Sequence, residues 1–260
     1  MEWKKAKWLI IALLLAVNLF LGLNIAYKYT RALRSEADSL RAAIAIAPAE
    51  YGFSAEMFES LPRYLYSYTG ERDMDAEAAF AAAVFHGESQ CTDSGGGVFI
   101  YNSPGVERVE YRRGGNVTGI VSSDENVDIP AVIIASAHAS GLTTAEGEET
   151  EFYFDGTRVS NAYYSQTVYG EHTSLTGLVP LSRSWARDQK SRSRGEMVLV
   201  LKNIIEAYSM GAITDAKAVY YAEALGSSTH LLTPAWQVEC QNGFVTVSLI
   251  DKGVLETVMT

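Results

Sequence analysis

The sequence predicts an α+β protein in which a single amino-terminal transmembrane helix precedes a domain of antiparallel sheets with packed helices. Three observations predict it. Trp8 to Tyr27 is an uncharged apolar run, and beyond residue 48 segments of helical periodicity alternate with segments of period two. The alternating segments are joined by Gly-Gly, Asp-Gly and Asn-Gly pairs, which suit hairpins rather than the long crossovers of a parallel sheet.

The apolar run comes first. Its twenty residues would span about 30 Å as a helix, the thickness of a bilayer's hydrocarbon core. Trp3, Trp8, Tyr27 and Tyr29 bracket it, as aromatic rings do at lipid–water interfaces. A cleaved signal peptide would carry a small-residue site directly after a shorter run, but Tyr27-Lys-Tyr-Thr-Arg31 comes next here, and the Ala-Ile-Ala at Ala45 to Ala47 lies too far beyond. An uncleaved anchor is expected, with the short amino-terminal flank inside and the long domain outside. The expected partition is a cytoplasmic tail over 1–7, a transmembrane helix over 8–27, a helical stalk over 28–47, and extracytoplasmic subdomains over 48–127 and 128–260.

Charge separates the anchor and stalk from the domain. Residues 1–47 hold seven Lys or Arg and three Asp or Glu, a net of +4, which leaves 14 basic and 28 acidic residues and a net of −14 beyond. That balance argues against nucleic acid as a partner, since phosphate neutralisation needs clustered cations. It also argues against a membrane surface as the domain's main ligand. With only Cys91 and Cys240, no disulfide framework carries the fold. The two would either form one bridge outside the cell or stay as buried thiols, the commoner outcome.

Thr30 to Ala47 continues the helix with Leu33, Ala37, Leu40 and Ile44 as a heptad-like seam too short for a coiled-coil assignment, and Pro48 ends it. Met74 to His86 is rich in helix formers and opens on acids. Strand-like runs come next at 98–101, 106–111 and 116–121, the last two joined at Gly114-Gly115. Asp128 caps an apolar helix from Ile129 to Ser140, closed by Gly141. Phe152 to Val159 reads as a hairpin turning on Asp155-Gly156. Glu196 to Met210 reads as a helix whose common face is Val200, Ile204, Ala207 and Tyr208. Ala235 to Cys240 and Phe244 to Ile250 alternate about Asn242-Gly243, with Trp236 expected in the core.

The carboxy-terminal segment carries a family resemblance. Ile213-Thr-Asp-Ala-Lys-Ala-Val-Tyr-Tyr221, Leu231-Leu-Thr-Pro-Ala-Trp-Gln-Val-Glu239, Asn242-Gly-Phe244 and Asp251-Lys-Gly253 resemble the closing strands of the YycI/YycH regulatory proteins. The start, Met-Glu-Trp-Lys-Lys-Ala-Lys-Trp with its single anchor, is similar to the YycI branch. Pro-Ala-Trp-x-Val is shared with extracytoplasmic modules resembling PepSY domains. The resemblance implies a strand, rather than the helix that propensity allows, over Thr214 to Ala224. It also implies an auxiliary protein of Gram-positive bacteria that binds a YycH-like sister protein and a membrane sensor histidine kinase. Such a protein would tune a two-component system governing cell-wall metabolism.

Chemistry is sparse. His86, His138, His172 and His230 form no zinc motif, and no serine sits in a nucleophile elbow. His86-Gly-Glu88 with Cys91 and Asp93 is better explained as a helix end and polar loop than as a metal site. Gly95-Gly-Gly97 lacks the residues of a phosphate loop and reads as a flexible turn. No catalytic residue, cofactor or metal is expected. Asn18 and Gly22 share a face of the anchor, either as a contact for another transmembrane helix or as tolerated residues facing lipid. Arg183, Arg187, Lys190, Arg192 and Arg194 crowd one segment, either as a solvated loop or as a docking patch for an acidic partner or anionic wall polymer. The expected function is non-enzymatic regulation of the kinase through the anchor and the domain surface. An independent ligand-binding or protease-inhibiting PepSY-like module is the alternative.

Overall fold

Helix α1 (Glu2–Ala45) runs unbroken through 44 residues in the computed structural model, which describes residues 2–85, 89–103, 107–122, 127–145 and 148–259. Gly22 is its one glycine, and Pro48, with φ −59° and ψ 135°, prevents continuation. Its two ends have different surroundings. Phe20 is 65% exposed and Leu40 is 0% exposed. Leu40, Ala43 and Ile44 pack into the domain against Leu201 and Ile205, so the end of the expected seam is spent on an intramolecular contact.

Helix α2 (Ala55–Ser60) seats Phe58 with its ring 5.2 Å from Trp236. Strand β1 (Tyr66–Arg72) leads to α3 (Met74–Val84), whose first backbone N–H groups are accepted by the Asp73 carboxylate. Strands β2 (Gln90–Asp93), β3 (Phe99–Asn102), β4 (Arg108–Tyr111) and β5 (Asn116–Ser122) form an antiparallel meander. Helix α4 (Ile129–Ala139) is capped by Asp128, as expected. After β6 (Thr143–Ala145), strands β7 (Glu148–Phe154) and β8 (Thr157–Tyr169) close the predicted hairpin. Asp155 at φ 49° and Gly156 at φ 74° supply the positive angles its two-residue turn requires. The remaining elements are β9 (His172–Leu178), β10 (Ser182–Lys190), α5 (Arg194–Tyr208), β11 (Ile213–Ala224), β12 (Thr229–Cys240), β13 (Gly243–Ser248) and β14 (Val254–Met259). The segment from residue 214 to 224 is therefore strand, and the last predicted hairpin turns one residue earlier than expected, on Gln241-Asn242, with Gly243 paired to Cys240 at the start of β13, where an added Cβ would run into the Val258 carbonyl.

Among the described residues the strands form one mostly antiparallel 14-stranded sheet whose main path is β10-β1-β12-β11-β8-β9-β5-β4-β3-β2. Strand β12 is its hinge line. Along one side it pairs with β11; along the other, Thr229 to Leu232 pair with β1 and Ala235 to Cys240 with β13. The two halves of the sheet meet at a parallel bridge between Tyr220 and Val159. Asn161 reinforces that bridge, its side chain bonding both the N–H and the C=O of Ala222 at 2.8 Å.

Two cores result. The anchor-side core joins Leu40, Phe58, Met197, Leu201, Trp236 and Val245. The distal core packs α3 and α4 against the sheet through Phe80, Ile133, Tyr111, Phe152 and Tyr220. Each draws on chain far apart in sequence, and the distal core takes residues from both sides of position 127. On α5 the buried residues are Gly195, Met197, Val198, Leu201 and Ile205; Val200 and Ile204 of the expected face are half-buried against the same core, whereas Ala207 and Tyr208 are exposed. The expected face is thus rotated from the true one by about a quarter turn at 100° per residue. Met197 to Leu201 is apolar all round, so periodicity alone does not choose between faces.

Candidate site at the helix–domain junction

Charged side chains gather where α1 enters the domain. Glu36, on α1, is 8% exposed and faces Arg63 and Arg194. Arg194 Nε reaches a Glu36 carboxylate oxygen at 3.2 Å, while one terminal nitrogen donates to the carbonyls of Phe58, Glu59 and Leu61 at 3.4, 3.0 and 3.2 Å. One guanidinium thus ties α1 to the carboxy-terminal end of α2, whose last carbonyls have no partner within their own helix. Arg63 also donates to the Ala32 carbonyl at 3.0 Å. The helices touch at Gly195, where an added Cβ would lie 2.6 Å from the Ser39 hydroxyl and 2.9 Å from its backbone. Only glycine permits that approach.

Beside the clamp is a cavity of about 380 Å³, lined by Ala32, Ser35 and Ser39 of α1 and by Arg63, Lys190 and Arg192. Arg192 donates to Glu196 at 3.0 Å and to the Ile250 carbonyl at 2.9 Å. Lys252, hydrogen-bonded to Glu196, holds that carboxyl below its usual range, and Arg192 assists. Lys190 lies 3.8 Å over the Tyr64 ring and has no ion pair among the described residues.

The expected solvated loop through the basic segment is a strand, with a physical reason. Ser182 to Lys190 forms the sheet edge against β1, and its charges project from that edge, which itself discourages edge-to-edge association. The five cations do not form one patch. Arg183 binds Asp73 and Asp75, Arg187 lies 4.5 Å over the Tyr66 ring, and Arg194 is committed to the clamp. Lys190 and Arg192 alone line the cavity. Asn18 and Gly22 are exposed on α1, and nothing lies within 4 Å of a Cβ added at Gly22. Glu36 and Arg63 were not singled out from the sequence. The pattern Ser193-Arg-Gly-Glu196 was the available signal, since Ser193 accepts from the Glu196 N–H as a helix cap and so ends any loop at residue 193.

A second cluster sits at the distal core. Arg72 and Glu77, 2% and 1% exposed, pair through two contacts of 2.6 and 3.0 Å. The other Arg72 nitrogen contacts are to the carbonyls of Gly97, Ser227 and Tyr111. The Gly95-Gly-Gly97 turn therefore receives a buried arginine, and that guanidinium has no donor left for an anion. Next to it His230 is 1% exposed. Burial, aided by Arg72, pushes its pKa down to about 4. Both cysteines are unpaired. Cys240 is buried, and burial pushes its thiol up to about 11. Cys91 is exposed rather than buried, because β2 is the far edge of the sheet. Among the described residues no group of three or more His, Cys, Asp or Glu could hold a metal ion; His86, Glu88 and Glu146 lie outside them.

Fold and site define an α+β protein whose amino-terminal helix is long and apolar enough to cross a membrane. An 18-residue window within Leu13–Ala45 has a mean hydropathy of 1.3, and none of it is buried. Membrane anchors and signal sequences share these properties. No family model and no curated protein matches the chain. Among solved structures it is similar to an uncharacterized protein from Eubacterium rectale, with 10% identity over 76% of this chain and 82% of that one and a TM-score of 0.39, a likeness too distant to bear on fold or function.

Proposed function

We propose that the protein is a non-enzymatic, membrane-anchored accessory protein that modulates a sensor histidine kinase controlling cell-wall metabolism. It acts with a YycH-like sister protein, and its domain lies outside the cytoplasm of a Gram-positive cell. The observation that carries this reading is the continuity of α1, which leaves the exposed apolar stretch and enters the anchor-side core without a break. A helix clamped by Glu36, Arg63 and Arg194 moves as one body with the domain, so a load on the domain rotates or tilts the span. The residues that resemble the YycI/YycH family fall on consecutive elements, β11, β12 and the turns on either side of β13. Regulation would follow from packing of the span against kinase helices, limited to its difference in affinity for the two kinase states.

Two experiments test this. A reporter active only outside the cytoplasm, fused after Thr260, should work, and the chain should stay in the membrane fraction; release of a soluble domain by signal peptidase refutes the anchor. Kinase and sister protein should coprecipitate with the intact chain in detergent. Replacing Asn18 and Gly22 with leucine should preserve insertion and weaken that association by about 1 to 2 kcal/mol. If an unrelated transmembrane helix of equal length supports full regulation, the contact runs through the domain, and an absence of both partners favours an independent ligand-binding module.

A further inference from the structure

We infer that the cavity beside the clamp binds the phosphate of an anionic lipid headgroup in the leaflet adjoining the domain; this uses only the retained-anchor part of the proposed function. The cavity's position suits a headgroup. Ala32, at the near rim, lies five residues beyond Tyr27, about 7.5 Å along the helix, and Ser39, at the far wall, lies about 18 Å from it. A headgroup layer is about 5 to 8 Å thick. The cavity therefore opens where the headgroups end. Lys28, Ala32, Ser35 and Ser39 have spacings of 4, 3 and 4 and share one helix face, which puts the Lys28 ammonium at headgroup level directly below the opening.

The lining suits a phosphate. Arg63, Lys190 and Arg192 line the cavity with Glu36 as the one acid, and the serine hydroxyls of residues 35, 39, 191 and 193 stand among them. Glu36 is already engaged by Arg63 and Arg194. Lys190 is the available charge, and a phosphodiester oxygen can accept from its ammonium and from the hydroxyls together. The rest of the domain has the opposite sign. Residues 48–260 carry a net charge of −14, so an anionic bilayer repels most of the domain and attracts this corner. A phosphate held here would set the tilt of α1 and the domain, as one body, relative to the bilayer.

The test uses the full chain in neutral detergent, with native mass spectrometry counting bound phosphatidylglycerol or phosphatidylcholine. One phosphatidylglycerol should be retained in preference to phosphatidylcholine. Lys190→Gln and Lys28→Gln should each weaken retention about fivefold, the equivalent of about 1 kcal/mol per cation near an anionic surface. Arg183→Gln, at the other end of the same strand, should leave retention unchanged. Both lysines are exposed, and an unchanged melting temperature without lipid confirms folding. Equal retention of the two lipids, or indifference to both lysine substitutions, overturns the inference. Full displacement by millimolar inorganic phosphate overturns the lipid source and leaves a site for soluble phosphate. Because no kinase is present, failure here leaves the regulatory reading standing, and loss of kinase coprecipitation leaves this site standing.

Discussion

The two cores of this protein handle charge in opposite ways. The anchor-side core is built from apolar side chains, and its ionic contacts, Glu36 with Arg63 and Arg194, stand at its rim where α1 enters. The distal core encloses its ions, with the Arg72–Glu77 pair and the neutral His230 nearly inaccessible. Apolar packing is indifferent to pH, whereas a buried imidazole must lose its burial or its neutrality when acid is added. One core therefore holds a helix, and the other contains an imidazole whose protonation works against folding.

The largest effect should come from the anchor-side core. Trp236 is 2% exposed and packs at a tilt against the Phe58 ring, so Trp236→Ala should destabilise the domain by about 3 to 5 kcal/mol in denaturant unfolding. A loss below about 1 kcal/mol would mean that Trp236 does not hold this core and would erase the distinction between the two.

The next effect belongs to the distal core. His230 has a folded-state pKa of about 4, below its ordinary 6.5, so the folded state resists protonation that the unfolded state accepts. Stability is fully present above pH 6.5 and is lost as pH falls toward 4, by roughly 3 kcal/mol in total. His230→Gln should flatten that stretch of the stability–pH curve. An unchanged slope would place the acid sensitivity elsewhere.

A smaller effect sharpens the role of the junction. Gly195→Ala drives a methyl group into Ser39, an overlap worth about 1 to 3 kcal/mol, against up to about 1 kcal/mol gained in helix propensity. Hydrogen exchange should quicken over the last turns of α1 and leave the distal core protected. The smallest effect is expected at Arg183, 48% exposed beside Asp73 and Asp75, where Arg183→Ala should change stability by less than about 1 kcal/mol. A larger loss would give the strand edge a structural part that its exposure does not suggest.

Legibility depended on the range of each signal. The cap at Asp128, the turn at Asp155-Gly156 and the end of α1 before Pro48 were readable, and the last hairpin was placed to within one residue, because each signal acts over four residues or fewer. Strand β1 was not, since its burial does not alternate and its neighbours β10 and β12 lie more than a hundred residues away. Strand β10 was hidden by its own composition: an edge strand rich in Arg, Ser and Asp looks like a loop until a partner strand is supplied. Of the candidate site, Lys190 and Arg192 were visible as cations, but Glu36 and Arg63 acquire meaning only when α1 folds back beside α5.

The amino-acid order by itself determined the apolar helix, the hairpins and the α+β class, because hydrophobic period, caps and turn residues are local properties. Which face of α5 is buried, which cations are already paired, and that Arg72 and His230 share a buried site were decided only by tertiary structure. Those outcomes depend on the partner each side chain meets, and the partners come from segments that only the folded chain brings together.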